Sequence, residues 1–191
     1  MKLINKIIRL NVTAALIIAA VALPHDLGNA AVDGASAFRF SGDGHLKIYN
    51  THTKKTISII YRDSQGVYDD EALKELDGLL ACHYDKKQTE MSLKLIELVD
   101  YIQDHFAASE IQVISAFRSP EYNRRLRRRS RNVGKKSFHM YGRAMDIILP
   151  GVSSQKLRNF ALSLKSGGVG YYGPGNFVHI DTGPVRRWSA L

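Results

Sequence analysis

Residues 137–148 read SFHMYGRAMDII, and they join a turn-forming segment to a short apolar run. The run from Ala144 to Ile148 is interrupted only by Asp146, which is typical of a buried strand. His139 lies seven positions before this aspartate, and Gly142 between them allows the chain to turn. The segment therefore predicts a loop followed by a strand, with both polar side chains able to converge on one point.

The rest of the chain alternates between the periods of strands and helices. Apolar residues recur at every second position in some segments and at every third or fourth position in others. Serine or aspartate precedes several helical segments, as expected of N-caps. We predict an α+β domain in which helices pack on a small, mainly antiparallel sheet. The predicted strands are a hairpin over 45–61 and single strands at 111–116, 144–148, 168–172 and 177–181, and the predicted helices cover 69–80, 89–106, 153–164 and a segment opened by Ser119-Pro120.

A second histidine, His179, lies in the alternating segment Phe177-Val178-His179-Ile180-Asp181. With His139 and Asp146 it offers two imidazoles and one carboxylate, the ligand set of a catalytic zinc that keeps a position for water. Structural zinc sites favour cysteine, and the chain contains only Cys82. Spacing alone leaves an alternative, in which His139 is hydrogen-bonded in its loop and His179 is satisfied in the core.

The first thirty residues differ from the rest of the chain. Lys2, Lys6 and Arg9 precede the apolar run 12–23, and the small residues 28–30 are suited to cleavage. This layout predicts a signal peptide over residues 1–30, with an uncleaved membrane anchor as the alternative. We expect a spacer at 31–37, one folded domain at 38–191 and export, to the periplasm.

The chain is strongly basic, with a formal net charge of +9. Removal of residues 1–30 takes away three cations and one anion, which leaves +7. Such a charge favours a polyanionic neighbour, and an export signal argues against nucleic acid. The densest run is RRLRRRSR at 124–131, extended by Lys135-Lys136. It either steers a polyanionic substrate toward His139 or forms a solvated helix face.

Several motifs occur together and in order: ISAFRSP at 114–120, SFH at 137–139 leading to Asp146, GGVGYY at 167–172, and FVHIDTG at 177–183 leading to Trp188. Together they resemble the MepK (YcbK) type of murein endopeptidase. That group belongs to the D-alanyl-D-alanine metallopeptidases, relatives of the lysostaphin and hedgehog folds. The resemblance covers roughly residues 38–190 and implies that the sheet of this domain carries a zinc site.

The resemblance implies that His139, Asp146 and His179 bind one zinc ion per chain. It also implies that Arg118 faces the substrate, where a fixed cation binds a carboxylate or stabilises an oxyanion. The alternative for Arg118 is a structural salt bridge at the start of a helix.

The general base is where the chain departs from the family pattern. Many members have an acidic residue three positions, and a histidine two positions, before the last zinc histidine, whereas Asn176 and Phe177 stand here. Asp181 either acts as a base through water or orients His179, and the orienting role is favoured. Tyr141 and Tyr171, together with Tyr172, either bind substrate in the cleft or belong to the core or its rim.

The resulting functional hypothesis is a zinc-dependent endopeptidase that cuts the peptide cross-links of peptidoglycan. One alternative is a non-catalytic peptidoglycan-binding module that kept the fold and the basic surface. Another is a D,D- or L,D-carboxypeptidase that trims the ends of stem peptides. Contact with a membrane is expected only through an uncleaved leader.

Overall fold

The computed structural model describes residues 38–130 and 132–190, which belong to one compact unit. The predicted leader and spacer lie outside the described residues. Within them, no helix is both long enough and apolar enough to cross a bilayer. The elements are the strands β1 (His45–Asn50), β2 (Lys55–Ile60), β3 (Ile111–Ser115), β4 (Ala144–Ile148), β5 (Gly168–Tyr172), β6 (Phe177–Asp181) and β7 (Arg186–Ala190), and the helices α1 (Asp70–Leu79), α2 (Leu93–His105), α3 (Pro120–Arg129) and α4 (Ser154–Leu164).

The described strands form one seven-stranded sheet in the order β2-β1-β3-β4-β6-β5-β7. Neighbours β1 and β3, and likewise β5 and β7, run parallel, whereas the other neighbouring pairs are antiparallel. The α+β class is confirmed, but the sheet is mixed rather than mainly antiparallel. The difference arises because neither parallel pair is joined by a hairpin: α1 and α2 lie between β1 and β3 in the chain, and β6 lies between β5 and β7.

The core lies on one face of this sheet. Successive side chains of a strand point to opposite faces, so one residue in two of β4 and β6 is directed into the core. Met145 and Ile147 of β4 and Ile180 of β6 are at most 2% exposed, and they pack with apolar residues of α1, α2 and α4. The intervening residues, including Asp146 and His179, therefore lie on the opposite face.

Polar side chains determine where several helices begin. The Asp69 carboxylate accepts hydrogen bonds from the N–H groups of Glu71 and Ala72, and Ser119 and Ser153 cap α3 and α4 in the same way. Helix α2 begins at Leu93 rather than near residue 89. The residues before it are held elsewhere, because Met91 N–H donates to Asp77 and the next N–H donates to the carbonyl of Gly142.

Candidate active site

One row of residues crosses the face of the sheet opposite the core. In the strand register, Asp146 of β4 lies opposite Ser115 of β3 and opposite His179 of β6. His179 in turn lies opposite Gly170 of β5, and Gly170 lies beside Trp188 of β7. Five adjacent strands thus place their side chains in line. A Cβ on Gly170 would lie 2.5 Å from the Trp188 ring, so glycine is needed for the indole to lie against the sheet.

His139 joins this row from the segment that precedes β4. The structure places it on a 3-10 helix, Phe138–Tyr141, where a loop was predicted. The turn ends at Gly142, whose φ is +63° and whose Cβ position would be 2.5 Å from the carbonyl oxygen of Glu90. Glycine is therefore required on two grounds, the left-handed backbone and the close approach of another segment.

Three side-chain atoms converge where the 3-10 helix meets the row. His139 Nε2 lies 3.2 Å from Asp146 Oδ1 and 3.1 Å from His179 Nδ1, and His179 Nδ1 lies 2.8 Å from Asp146 Oδ1. The three residues are between 1% and 6% exposed. The structure therefore brings together the three side chains that were predicted to share a site.

The outer hydrogen bonds of both imidazoles fix where their protons lie. His139 Nδ1 is 2.7 Å from the carbonyl oxygen of Ala116, which can only accept, so Nδ1 donates and Nε2 carries a lone pair. His179 Nε2 donates to Asp181 Oδ2 at 2.9 Å, which leaves the lone pair of its Nδ1 facing the cluster. With both rings neutral, all three converging atoms are acceptors.

Electrostatics favour this arrangement of protons at two of the three groups. Burial lowers the pKa of His139 to about 4, so its imidazole is neutral. Burial would raise the pKa of Asp146, but His139 and the Arg118 guanidinium hold it well below its ordinary value. At His179, burial lowers the pKa, while hydrogen bonds to Asp146 and Asp181 raise it above the ordinary value. A cation at the centre of the cluster would therefore compete with a proton on His179.

The donor set fits a divalent transition metal. Tetrahedral zinc with ligand bonds of about 2.0–2.1 Å separates its ligand atoms by roughly 3.3 Å. The triangle formed by His139, Asp146 and His179 has edges of 2.8–3.2 Å. Neutral imidazole and carboxylate are the ligands of catalytic zinc, and each imidazole has the outer acceptor that commonly accompanies such a ligand.

Arg118 lies beside the cluster and contacts a ligand candidate directly. Its Nε donates to Ser115 Oγ at 2.8 Å, and its terminal nitrogen donates to Asp146 Oδ2. Its side chain is 14% exposed and lines the cavity. The two roles predicted for Arg118, a salt bridge and a surface facing the substrate, are therefore compatible in one residue.

Asp181 is enclosed by hydrogen-bond donors. Oδ1 accepts from the N–H groups of Gly168 and Gly183 and from Arg186, and Oδ2 accepts from His179 and from Arg186. The side chain is 0% exposed. Burial would raise its pKa, but these bonds hold the pKa below its ordinary value. The geometry favours the orienting role over a base that acts on water.

A cavity of about 330 Å³ opens beside the three converging side chains. Among the described residues that line it, Asp146 is the only acidic one. Tyr172 lines the cavity, but Tyr141 and Tyr171, which were predicted to bind substrate, do not. Tyr141 is 56% exposed, and Tyr171 packs against the core, where the Arg158 guanidinium of α4 lies over its ring. Strand alternation explains the position of Tyr171. Gly170 and Tyr172 lie on the face that carries His179, so Tyr171 lies on the opposite face.

Arg186, which had no predicted role, lines the cavity together with Lys136 of the basic run and Trp188 at the end of the motif set. Arg186 lies over the rings of Phe138 and Trp188 while it binds Asp181. The nearest signal in the sequence was Trp188, which closes the set of motifs. Strand β7, which carries Arg186, shows no apolar alternation, so the sequence pattern does not predict it.

A family model described as peptidoglycan L,D-endopeptidase MepK matches residues 41–188. The chain belongs to this family. The match covers every strand and helix given above except the last residues of β7. Membership in the MepK family confirms the resemblance found in the motifs and the assignment of the chain to the peptidases that act on peptidoglycan.

Individual relatives agree with the family match. The peptidoglycan L,D-endopeptidase MepK of Escherichia coli K12 is 39% identical over 144 residues, which cover 75% of this chain and 79% of the relative. The same protein of Shigella flexneri gives the same values. The probable peptidoglycan L,D-endopeptidase MepK of Haemophilus influenzae is 36% identical over 148 residues, 76% of this chain and 79% of the relative.

Proposed function

We propose that this chain is a zinc-dependent L,D-endopeptidase that hydrolyses peptide cross-links of peptidoglycan. One observation carries the proposal: three buried acceptor atoms, from His139, Asp146 and His179, converge within 3.2 Å of one another. When both imidazoles are neutral, all three atoms are acceptors and a cation at their centre satisfies them together, whereas a proton on His179 satisfies only its contact with Asp146. The specificity for an L,D bond follows from the name of the matching family.

In the proposed site, His139 Nε2, His179 Nδ1 and Asp146 Oδ1 hold one zinc ion. When bound, such an ion supplies Lewis acidity, which polarises the scissile carbonyl and activates a water molecule at neutral pH. The carbonyl of Ala116 and the Asp181 carboxylate orient the two imidazoles through the nitrogens that face away from the cluster.

Two arginines complete the proposed site. Arg118 fixes the free oxygen of Asp146, and its position on the cavity wall suits it to stabilise negative charge that develops on the substrate. Arg186 fixes Asp181 through two nitrogens and presents a 41% exposed side chain to the cavity. Asp181 therefore acts through His179 rather than on the attacking water.

The proposal places the enzyme outside the cytoplasm. Residues 1–30 would direct export, 31–37 would link the leader to the domain, and the zinc peptidase domain would occupy 38–191. Peptidoglycan is the partner that this localisation and the family match both support. The basic helix α3 suits a polyanionic wall.

The test is a digest of purified sacculi followed by mass spectrometry of the released muropeptides. The proposal predicts products cut between an L and a D centre within cross-links, loss of these products with a chelator, and their return with zinc. Products shortened only at the ends of stem peptides would instead identify a carboxypeptidase. Cleavage that is unchanged by exhaustive metal removal would contradict the proposal.

A non-catalytic wall-binding module is a second candidate. It is favoured by the cavity lining, in which the described residues offer no carboxylate other than Asp146. Such a module would sediment with sacculi and leave the muropeptide pattern unchanged at every zinc concentration. Any zinc-dependent turnover excludes it.

A further inference from the structure

The cavity beside the candidate zinc site is lined by more positive than negative charge. Arg118, Lys136 and Arg186 contribute cations, whereas Asp146 is the only anion among the described lining residues. Bound zinc would add further positive charge. The cavity is therefore suited to an anionic group.

The two arginines of the cavity form ion pairs with carboxylates of this chain, whereas the lysine forms none with a described residue. Arg118 donates to Asp146, and Arg186 donates to Asp181 through two nitrogens. Lys136 forms no ion pair with any residue in 38–130 or 132–190, and it lies exposed on the cavity wall. Among the described lining residues, Lys136 is therefore the lysine or arginine without a carboxylate partner.

The sequence before Lys136 is strongly basic. The last turn of α3 carries Arg127, Arg128 and Arg129, and residues 132–134 and 136 line the cavity. Like charges on neighbouring residues raise the local potential and attract anions from solution. Because Lys136 is exposed, a single ion pair at this position is expected to be weak, and its effect is measured best as a ratio between two matched substrates.

We propose that Lys136 binds a free carboxylate of the stem peptide next to the scissile bond, and that the enzyme therefore selects cross-links in which this carboxylate is not amidated. The inference rests on the proposed function, because it names the substrate group that the same cavity accepts. A carboxamide has nearly the same shape as a carboxylate but lacks its charge. Lys136 is thus a specificity-determining residue, and Lys135, which does not line the cavity, is its matched control.

The experiment compares two cross-linked muropeptides that differ only in carrying a carboxylate or a carboxamide beside the scissile bond. The zinc-loaded wild type is expected to cleave the carboxylate form with a kcat/KM about 2–5-fold higher, the range of an exposed ion pair. Lys136→Gln is expected to lower kcat/KM for the carboxylate form by this factor and to leave the carboxamide form nearly unchanged. Calorimetric binding of the carboxylate product peptide should weaken in parallel.

Lys135→Gln removes the same charge one residue away and is expected to keep the wild-type ratio between the two substrates. Equal cleavage of both substrates by the wild type would overturn the inference. So would a Lys136→Gln variant that slows both substrates equally, or a Lys135→Gln variant that shifts the ratio as strongly. Failure of the zinc-loaded wild type to cleave either substrate would contradict the proposed function itself, so the two failures are distinguishable.

Discussion

Asp181 Oδ2 lies 2.9 Å from Nε2 of His179 and thereby directs the other nitrogen of the imidazole toward Asp146 and His139. The register places both residues on the same face of β6, two positions apart. Arg186 holds the carboxylate from the opposite side through both oxygens. A chain of three side chains on β6 and β7 thus sets the tautomer of one proposed zinc ligand.

Asp181→Asn should weaken zinc binding by about 10–100-fold, the usual effect of losing a carboxylate behind a metal-bound imidazole. The amide loses the charge that stabilises the donor on His179 and that pairs with Arg186. Competition with a chromogenic chelator measures the affinity. Asp70→Asn, an exposed change in the first turn of α1, serves as the control and should retain wild-type affinity. Wild-type affinity in Asp181→Asn would refute the orienting role.

Arg118→Ala should lower kcat/KM by about 10²–10³-fold, in the range found when a fixed donor to a developing charge is removed. The variant also releases Asp146 Oδ2, which Arg118 fixes. Arg118→Lys should restore only part of the activity, because an ammonium cannot donate in the planar fork that reaches both Ser115 and Asp146. Steady-state kinetics on a soluble cross-linked muropeptide test both variants. Full activity in Arg118→Ala would exclude a role in catalysis.

Glu97→Ala should lower the free energy of unfolding by about 3–5 kcal/mol, since it leaves a buried arginine without its carboxylate. Glu97 is 0% exposed and accepts hydrogen bonds from Arg62 at 2.7 Å and from Tyr68 at 2.7 Å. Urea denaturation measures the change. Glu71→Ala removes the exposed partner of Lys74 and should leave the unfolding free energy nearly unchanged. Equal stability of the two variants would show that the buried pair does not stabilise the fold.

The contribution of Asp100 to the free energy of unfolding should fall as the pH rises from about 4 through about 7. Burial, with smaller contributions from Asp104 and Asp43, raises the pKa of Asp100 to about 7, although hydrogen bonds from Tyr61 and Gly44 oppose the shift. The folded state therefore retains a proton that the unfolded chain loses near its ordinary pKa, so stability is highest below that pKa. In Asp100→Asn, unfolding free energy between pH 5 and 8 should depend less on pH. An identical pH profile in both proteins would contradict this assignment.

Much of the site could be predicted because its residues lie in short segments with strong local patterns. The strands that carry Asp146 and His179 were predicted with the bounds observed, since each combines β-branched or apolar residues with alternation. Gly142 marked the turn that brings His139 back to Asp146. The order of the motifs then distinguished a shared site from accidental pairs of histidine and aspartate.

The remainder depended on contacts between distant segments. Strand β7 has the sequence Arg186-Arg187-Trp188-Ser189-Ala190, which lacks an apolar alternation, and its parallel pairing with β5 supplies the stabilisation. Arg186 was therefore not predicted as a site residue, although it donates hydrogen bonds to Asp181. The choice between the cleft and the core stayed open for Tyr171 because the sequence does not reveal which face of β5 carries the site. The register supplies that answer, since Gly170 lies opposite His179.

Hydrolysis is proposed to depend on a metal ion held by His139, Asp146 and His179. The most direct measurement is a titration of metal-free enzyme with zinc, in which the rate of cross-link cleavage is followed as zinc is added. We expect activity to rise from near zero to a plateau at about one zinc per chain, and His179→Ala to stay inactive at the same zinc concentrations. Full activity without metal, or wild-type activity in His179→Ala, would contradict this proposal.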